Sequence, residues 1–271
     1  MSMTEAVARP AVSAEELDFF HREGYLIRRK LFSREEAQGL REHYTELHAS
    51  RAIRDYKFAT PEESGDPLKC YPRIMHPHRW DALSLQWLLD PRVADTLKSL
   101  LGEDPVATQS MLYFKPPGAK GQAFHQDNFY LNVKPQSCIA SWVALDRTDP
   151  ENGGLSICPR THTYAVQCPE RANLEISFTT ELVQPPEGTE PIPAILEPGD
   201  TLFFNGSVVH GSTPNRSKDR WRRSFICHYA PRSMQEIAHW YFPVLDMGGK
   251  EVTYRCATDG GPCGTEAKGP H

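Results

Sequence analysis

Phe124-His125-Gln126-Asp127-Asn128-Phe129-Tyr130-Leu131 is the stretch whose reading decides both the fold and the chemistry of this chain. Side chains of an extended segment alternate, so His125 and Asp127, two apart, are predicted to share one face. A neutral imidazole and a hard carboxylate oxygen side by side fill two positions around a divalent metal. Such pairs also arise freely in turns and strands, so the pair needs company. His210 supplies it, in Phe203-Phe204-Asn205-Gly206-Ser207-Val208-Val209-His210-Gly211-Ser212, at the end of an apolar run and before a polar loop. Two histidines and one carboxylate with open positions opposite form the facial donor set associated with non-haem Fe(II) oxygenases.

Working outward from that stretch, the chain after Pro105 consists of short apolar or alternating runs punctuated by Pro, Gly, Asn and Asp, the signature of an all-β body. Strands are predicted near 106–115, 124–133, 138–146, 155–158, 193–196, 201–204 and 222–230. Turns are predicted at Pro116-Pro117-Gly118, Asp149-Pro150-Glu151-Asn152-Gly153-Gly154 and Glu197-Pro198-Gly199-Asp200. Residues 165–192, with several prolines and acids, read as an insertion between strands. Before Pro105 the signals are helical. Ser13 with Glu16, and Ser33 with Glu36, are capping-box patterns, and Gly24 stops the first helix before a Tyr25-Leu26-Ile27 strand. Leu83 to Leu101 carries a helical period interrupted at Asp90-Pro91. Residues 1–12 read as a loose terminus, and 50–80 as a long irregular segment of the kind that faces substrate. His76 and His78, without a carboxylate partner, read as surface or substrate contacts rather than ligands. Helices packed against a later antiparallel double sheet, closed as a jelly roll, is the architecture these signals favour.

Composition narrows the function class. The 271 residues are 39 % hydrophobic and 24 % charged, as in an ordinary globular protein, and suffice for one domain with a sizeable core. The formal net charge of −5 offers no basic footprint for nucleic acid or an anionic membrane. No apolar run approaches the roughly 20 residues of a membrane span, and the N-terminus lacks a signal-peptide pattern. The seven cysteines, Cys70, Cys138, Cys158, Cys168, Cys227, Cys256 and Cys263, are scattered and odd in number, which predicts reduced thiols in a cytoplasm. Cys256 and Cys263 lie close in a Gly-rich tail, but no second Cys/His pair stands near enough for zinc.

Several motifs in order carry a resemblance: Met111-Leu112-Tyr113-Phe114-Lys115-Pro116-Pro117-Gly118, His125-Gln126-Asp127, Asn152-Gly153-Gly154-Leu155, Pro159-Arg160-Thr161-His162, Pro198-Gly199-Asp200, and His210-Gly211-Ser212 with Asn215 and Arg222-Arg223. Together with the early Phe19-Phe20 and Gly24-Tyr25-Leu26-Ile27 block, this chain resembles the phytanoyl-CoA dioxygenase family over about residues 14–232. That family comprises Fe(II)/2-oxoglutarate-dependent oxygenases with a double-stranded β-helix, a cupin-like jelly roll. The resemblance implies a mainly β fold with N-terminal helices in a single oxygenase domain. Its helical part would span about 13–102 and its jelly-roll core about 105–232, with a C-terminal extension, 233–271, that matches nothing in the family.

The resemblance also implies roles. His125, Asp127 and His210 would ligate Fe(II), leaving three positions for 2-oxoglutarate and O2. Halogenating relatives carry a small residue where this chain keeps Asp127, so hydroxylation is favoured over halogenation. The distal carboxylate of 2-oxoglutarate needs a cation that can grip it bidentately. Among Arg216, Arg220, Arg222 and Arg223, Arg222 fits the family's anchor position, with Arg223 predicted to face the other side of the strand. Ser212 would donate a hydroxyl to the same carboxylate. Tyr113, Gln122 and Trp142 are further candidates for that pocket. Gln109, Asn128, Phe129, Tyr130 and Trp240 are candidates for substrate contact, mixing aromatic walls with a few polar groups. His162 is assigned no metal role, and His228 reads as a packed histidine or one that supports a ligand.

The expected function is therefore oxidation of a C–H bond of a small molecule, with succinate and CO2 released. Desaturation, epoxidation and oxidative cyclisation would use the same triad. Two other classes compete: a cupin-like metal enzyme that uses no 2-oxoglutarate and needs no carboxylate anchor, and a metal-free ligand-binding jelly roll that needs no triad.

Overall fold

Both capping boxes are formed in the computed structural model, which describes residues 12–54, 56–265, 267, 269 and 270. Ser13 and Glu16 exchange side-chain-to-backbone hydrogen bonds at the start of α1 (Ala14–Glu23), and Ser33 and Glu36 do so for α2 (Arg34–Ala49). Gly24 ends α1 at a φ of 83°, a left-handed backbone that glycine adopts without steric cost. A short α3 (Pro67–Cys70) interrupts the irregular segment. The interrupted pattern resolves into α4 (Ala82–Leu88), capped by Asp81, and α5 (Pro91–Leu101), capped by Asp90 with Pro91 in its first turn. A one-turn helix, α6 (Asp127–Leu131), comes later. The expected loose terminus falls almost wholly on residues 1–11, outside the described residues.

Among the described residues there are sixteen strands, numbered in chain order. The first eight are β1 (Tyr25–Arg28), β2 (Ile74–Met75), β3 (Pro105–Tyr113), β4 (Gln122–His125), β5 (Ile139–Ala144), β6 (Leu155–Ile157), β7 (Glu170–Arg171) and β8 (Glu181–Leu182). The rest are β9 (Ile192–Pro193), β10 (Thr201–Asn205), β11 (His210–Ser212), β12 (Ser224–Pro231), β13 (Glu236–Ile237), β14 (Val244–Asp246), β15 (Glu251–Val252) and β16 (Arg255–Cys256). An eight-stranded sheet runs β1-β10-β5-β12-β3-β14-β15, with β2 also on β3, and a four-stranded sheet runs β4-β11-β6-β9.

The large sheet is buried on both faces, which is why its strands read as nearly continuous apolar runs. One face meets the helices: Phe225, Tyr229, Phe203 and Val143 pack with Leu40, Tyr44, Trp87, Leu88 and Leu97. Tyr229 adds a hydrogen bond from its hydroxyl to the Leu88 carbonyl at 2.7 Å. The alternate residues, Ile226, Trp142, Phe204 and Met111, form the opposite face and pack with Leu155 and Ile157 of the small sheet. The metal-ligand candidates lie on this inner side.

Three expectations need correction. The predicted 124–133 strand ends at His125, and Asp127 opens α6 instead. The carboxamides around it explain the break. Gln126 donates to the Ser207 carbonyl and accepts from the Gln167 amide, while Asn128 bonds both backbone groups of Val133. His125 and Asp127 thus converge through a strand-to-helix turn, not through alternation along one strand. Cys168 and Cys263 form a disulfide, contrary to the expectation of reduced thiols throughout, and Cys263 is no zinc partner for Cys256. His76 and His78 are buried rather than on the surface. The C-terminal segment is also woven into the body: β14 pairs with β3, and β13 runs parallel to β16.

The seam between helices and sheet should dominate stability. Phe225 is 1 % exposed and lies against Trp87 and Tyr44. Phe225→Ala is expected to cost about 3–5 kcal/mol in urea unfolding. A loss below about 1 kcal/mol would show that this seam is not where the fold is held.

Candidate metal centre

His125 ends β4 and His210 begins β11, and the two residues face each other in the antiparallel ladder. Directly opposed residues carry their side chains on the same face, and the two imidazole centroids are 4.2 Å apart. Each ring is oriented by a carbonyl two residues earlier: His125 Nδ1 bonds Ala123 O at 2.8 Å and His210 Nδ1 bonds Val208 O at 3.0 Å. A carbonyl only accepts, so each Nδ1 carries the proton and each Nε2 presents a lone pair. Asp127 Oδ1 lies 3.4 Å from both Nε2 atoms. Its Oδ2 is held by His228 Nε2 at 2.9 Å, so the carboxylate is oriented as well.

All three residues are buried, and their ligand atoms lie within 4.8 Å of one another. Burial, with the neighbouring His210 adding to it, holds the His125 imidazole below its ordinary pKa despite Asp127, which favours the neutral ligand form. Two lone pairs and a carboxylate oxygen converging in a buried pocket are the donors a divalent transition metal takes, and this set fits Fe(II).

A second constellation lies beside the first. Arg222 is buried, with its Nη1 on Ser224 Oγ at 2.9 Å and its Nε on the Gly153 carbonyl at 3.2 Å. Its guanidinium sits over the rings of Trp142 and Tyr113, at 5.5 and 5.7 Å. Burial pulls its pKa down to about 10, still protonated at neutral pH. Arg223 faces the other way, paired with Asp146 and stacked on Trp221. Arg220 is engaged by Asp149 and Glu151, and Arg216 is exposed.

The sequence reading assigned no role to Lys115. Its buried ammonium donates to Thr213 O at 2.6 Å and to Gly153 O and Ser212 Oγ at 2.9 Å, and burial, then Arg222, pushes its pKa well below the ordinary lysine value. Among the described residues neither Lys115 nor Arg222 has a carboxylate partner. The usable signal was a lysine set between a buried strand and a Pro-Pro-Gly turn. Ser212 Oγ also accepts from the Gln122 backbone N–H at 3.2 Å, which leaves its own proton to donate.

Gln122 links the two constellations. Its amide donates to His125 Nε2 at 3.1 Å, and its carbonyl accepts from the Tyr113 hydroxyl at 3.3 Å. That hydroxyl accepts from Arg73 at 3.0 Å. Arg73, Gln122 and Tyr130 line a cavity of about 110 Å³ with Thr179, Glu181 and the C-terminal Gly269 and Pro270. The remaining candidates are distributed differently. Gln109 is fully buried on β3 opposite His228. Asn128 is committed to Val133. Phe129 and Trp240 pack in a separate cluster with Tyr130, Ile237 and Tyr241, beneath the C-terminal segment. A broader surface hollow of about 680 Å³ between α2 and Arg223 lies away from all of these groups.

Comparison with known proteins gives one consistent answer. A profile of the phytanoyl-CoA dioxygenase (PhyH) family matches residues 20–224. A dioxygenase, lolE1, of Epichloe uncinata is 29 % identical over 86 % of this chain and 89 % of its own length. A probable phytanoyl-CoA dioxygenase of Caenorhabditis elegans is 27 % identical over 81 % of this chain and 75 % of its own. Among solved structures, EctD from S. alaskensis, with 2-oxoglutarate and 5-hydroxyectoine, superposes with a TM-score of 0.66 at 22 % identity, covering 85 % of this chain and 80 % of that one. The non-haem α-ketoglutarate-dependent carbocyclase SnoK from nogalamycin biosynthesis gives 0.65 at 20 % identity, covering 82 % and 85 %. Both have the same fold.

The turn that delivers the Gly153 carbonyl to Lys115 and Arg222 depends on Asp149. Arg220, followed by the backbone amides of Asn152 and Glu151, holds this carboxyl down at about 2 against its burial. A depressed folded-state pKa contributes stability that is complete above the ordinary carboxylate value and is lost as pH falls towards 2. Between pH 5 and 2, wild type is expected to lose about 2 kcal/mol more unfolding free energy than Asp149→Asn. Parallel pH profiles in urea unfolding would remove Asp149 from this role.

Proposed function

The chain belongs to the phytanoyl-CoA dioxygenase family and is a non-haem Fe(II)/2-oxoglutarate-dependent dioxygenase, and from that premise we propose that it hydroxylates a C–H bond of a small organic molecule. The observation that carries this reading is the convergence of His125 Nε2, His210 Nε2 and Asp127 Oδ1. We assign the metal to these three residues. Bound there, Fe(II) with 2-oxoglutarate and O2 supplies the oxidising equivalent, with succinate and CO2 as co-products.

The protein's own groups bind, orient and exclude water. Ala123 and Val208 carbonyls fix the imidazole tautomers, and His228 fixes the carboxylate. Arg222 has the charge and the fork for the distal carboxylate of 2-oxoglutarate, Ser212 a free hydroxyl proton, and Lys115 the contacts that position both Ser212 and Gly153. Tyr113 and Trp142 form the wall against which the guanidinium rests, and Gln122 stands between that wall and His125. Asp127 retains the carboxylate that halogenating relatives lack, which supports hydroxylation. A cytoplasmic setting is part of the proposal, with five free cysteines, four of them buried, set against the one Cys168–Cys263 disulfide. No helix among the described residues is long and apolar enough to cross a membrane.

His125→Ala and Asp127→Ala are expected to abolish Fe(II)-dependent succinate formation while the melting temperature stays within a few degrees of wild type. Robust turnover by either would sink the metal assignment. Arg222→Ala should raise the KM for 2-oxoglutarate at least tenfold, the order expected for loss of a charge-assisted bidentate contact, without weakening Fe(II) binding. An unchanged KM would move the anchor elsewhere.

A further inference from the structure

Two side chains beside the metal centre are buried with nothing to bond. Gln109 is fully buried, yet neither its amide nitrogen nor its carbonyl oxygen has a hydrogen-bond partner. His76 is 9 % exposed, and both of its ring nitrogens are without one. Native interiors seldom leave such groups unserved, because their desolvation is then uncompensated. Both lie towards His228, the residue that holds Asp127. Gln109 alternates with Met111 and Tyr113 on the inner face of β3 and is directly opposite His228, whose Nε2 holds Asp127. The His76 backbone N–H bonds Ser110 O at 2.8 Å, which sets it opposite Ser110, the β3 neighbour of Gln109, and the residue is held at a φ of 52°, a strained backbone for a histidine.

We infer that Gln109 and His76 are specificity-determining residues that receive a neutral hydrogen-bonding group of the substrate, a hydroxyl, carbonyl or amide, next to Asp127. This deepens the oxygenase reading and rests on it. The chemistry follows from the neighbours. His76 is faced by Arg79, His78, His228 and the Tyr241 ring, and burial, followed by the Arg79 charge, holds its pKa at about 3. It is therefore a neutral imidazole with one donor and one acceptor, and the Gln109 carboxamide likewise offers both. His78 is already engaged through Nδ1 with Ser110 Oγ at 2.7 Å, and Arg79 donates to the carbonyls of Phe242 and Trp240. Two neutral donor–acceptor groups match a polyol, lactam or amide. They offer no charge to a phosphate, so the phosphates of an acyl-CoA find no counterpart among them.

The test uses Gln109→Met and His76→Phe in the full-length chain. Ligand-free melting comes first. Side chains that wait for substrate are relieved of unpaired burial when made apolar, so the melting temperature should hold or rise by roughly 2–4 °C. A fall larger than that in both variants would mean the groups are structural and would overturn the proposal. The second arm follows Fe(II)-dependent 2-oxoglutarate consumption with three probes: a methyl glycoside, a cyclic dipeptide and a saturated acyl-CoA. Stimulation of wild type by a neutral probe, reduced at least tenfold in each variant, upholds the proposal. Equal stimulation of wild type and both variants by the acyl-CoA overturns it. Where no probe stimulates wild type, the melting comparison decides. A wild-type chain that consumes no 2-oxoglutarate with Fe(II) sinks the oxygenase reading instead, and leaves the melting result standing.

Discussion

Everything chemical in this protein depends on where two protons sit. A carbonyl two residues before each histidine accepts a hydrogen bond from Nδ1–H of His125 and of His210, so both Nε2 lone pairs turn inward towards Asp127 Oδ1. If both rings were protonated at Nε2, the donor set would become two N–H groups on a carboxylate, a stable hydrogen-bonded knot with no room for a cation. The fold is arranged to prevent this. The small sheet brings β4 and β11 into register at the two histidines, and the large sheet presents His228 to lock the other oxygen of Asp127. Ligand orientation by backbone carbonyls and a neighbouring side chain is how proteins tune metal sites generally.

The second constraint is charge. Lys115 and Arg222 are both buried and both bonded only to neutral oxygens among the described residues. Burying a guanidinium and a lysine amine side by side without a counter-ion is expensive, which supports the proposal that this pocket receives an anion. A dicarboxylate co-substrate meets that need, and the turn at Asp149 to Gly154 holds the Gly153 carbonyl that both cations share. The cation pocket and the triad adjoin at Gln122, whose backbone amide bonds Ser212 and whose carboxamide rests on His125 Nε2, the lone pair that a metal would take from it.

Much of this was legible in the sequence, for identifiable reasons. Capping boxes are local, so Ser13 with Glu16 and Ser33 with Glu36 gave both helix starts to the residue. The apolar strands 105–113, 139–144 and 224–231 were recognisable because both of their faces are covered. His125, Asp127 and His210 come together as expected, and Arg222 turns inward while Arg223 pairs with Asp146. What failed were features decided by distant partners. Asp127 leaves the strand because Gln126 and Asn128 bond backbone far from or beyond the segment. Cys168 meets Cys263 across 95 residues. Lys115 acquires its role only when Thr213 and Gly153 close around it, and the burial of His76 depends on strand pairing that two residues, Ile74 and Met75, are too short to announce.

The central claim is that the triad and the cation pocket together hold a chelated metal and co-substrate. The most direct measurement is anaerobic titration of the metal-free protein with Fe(II) and then 2-oxoglutarate, followed by visible absorbance. The account predicts a weak charge-transfer band that requires both additions and is lost when Asp127 or His210 is replaced by alanine. Fe(II) binding with no band on addition of 2-oxoglutarate, or no Fe(II) binding at all, would contradict it.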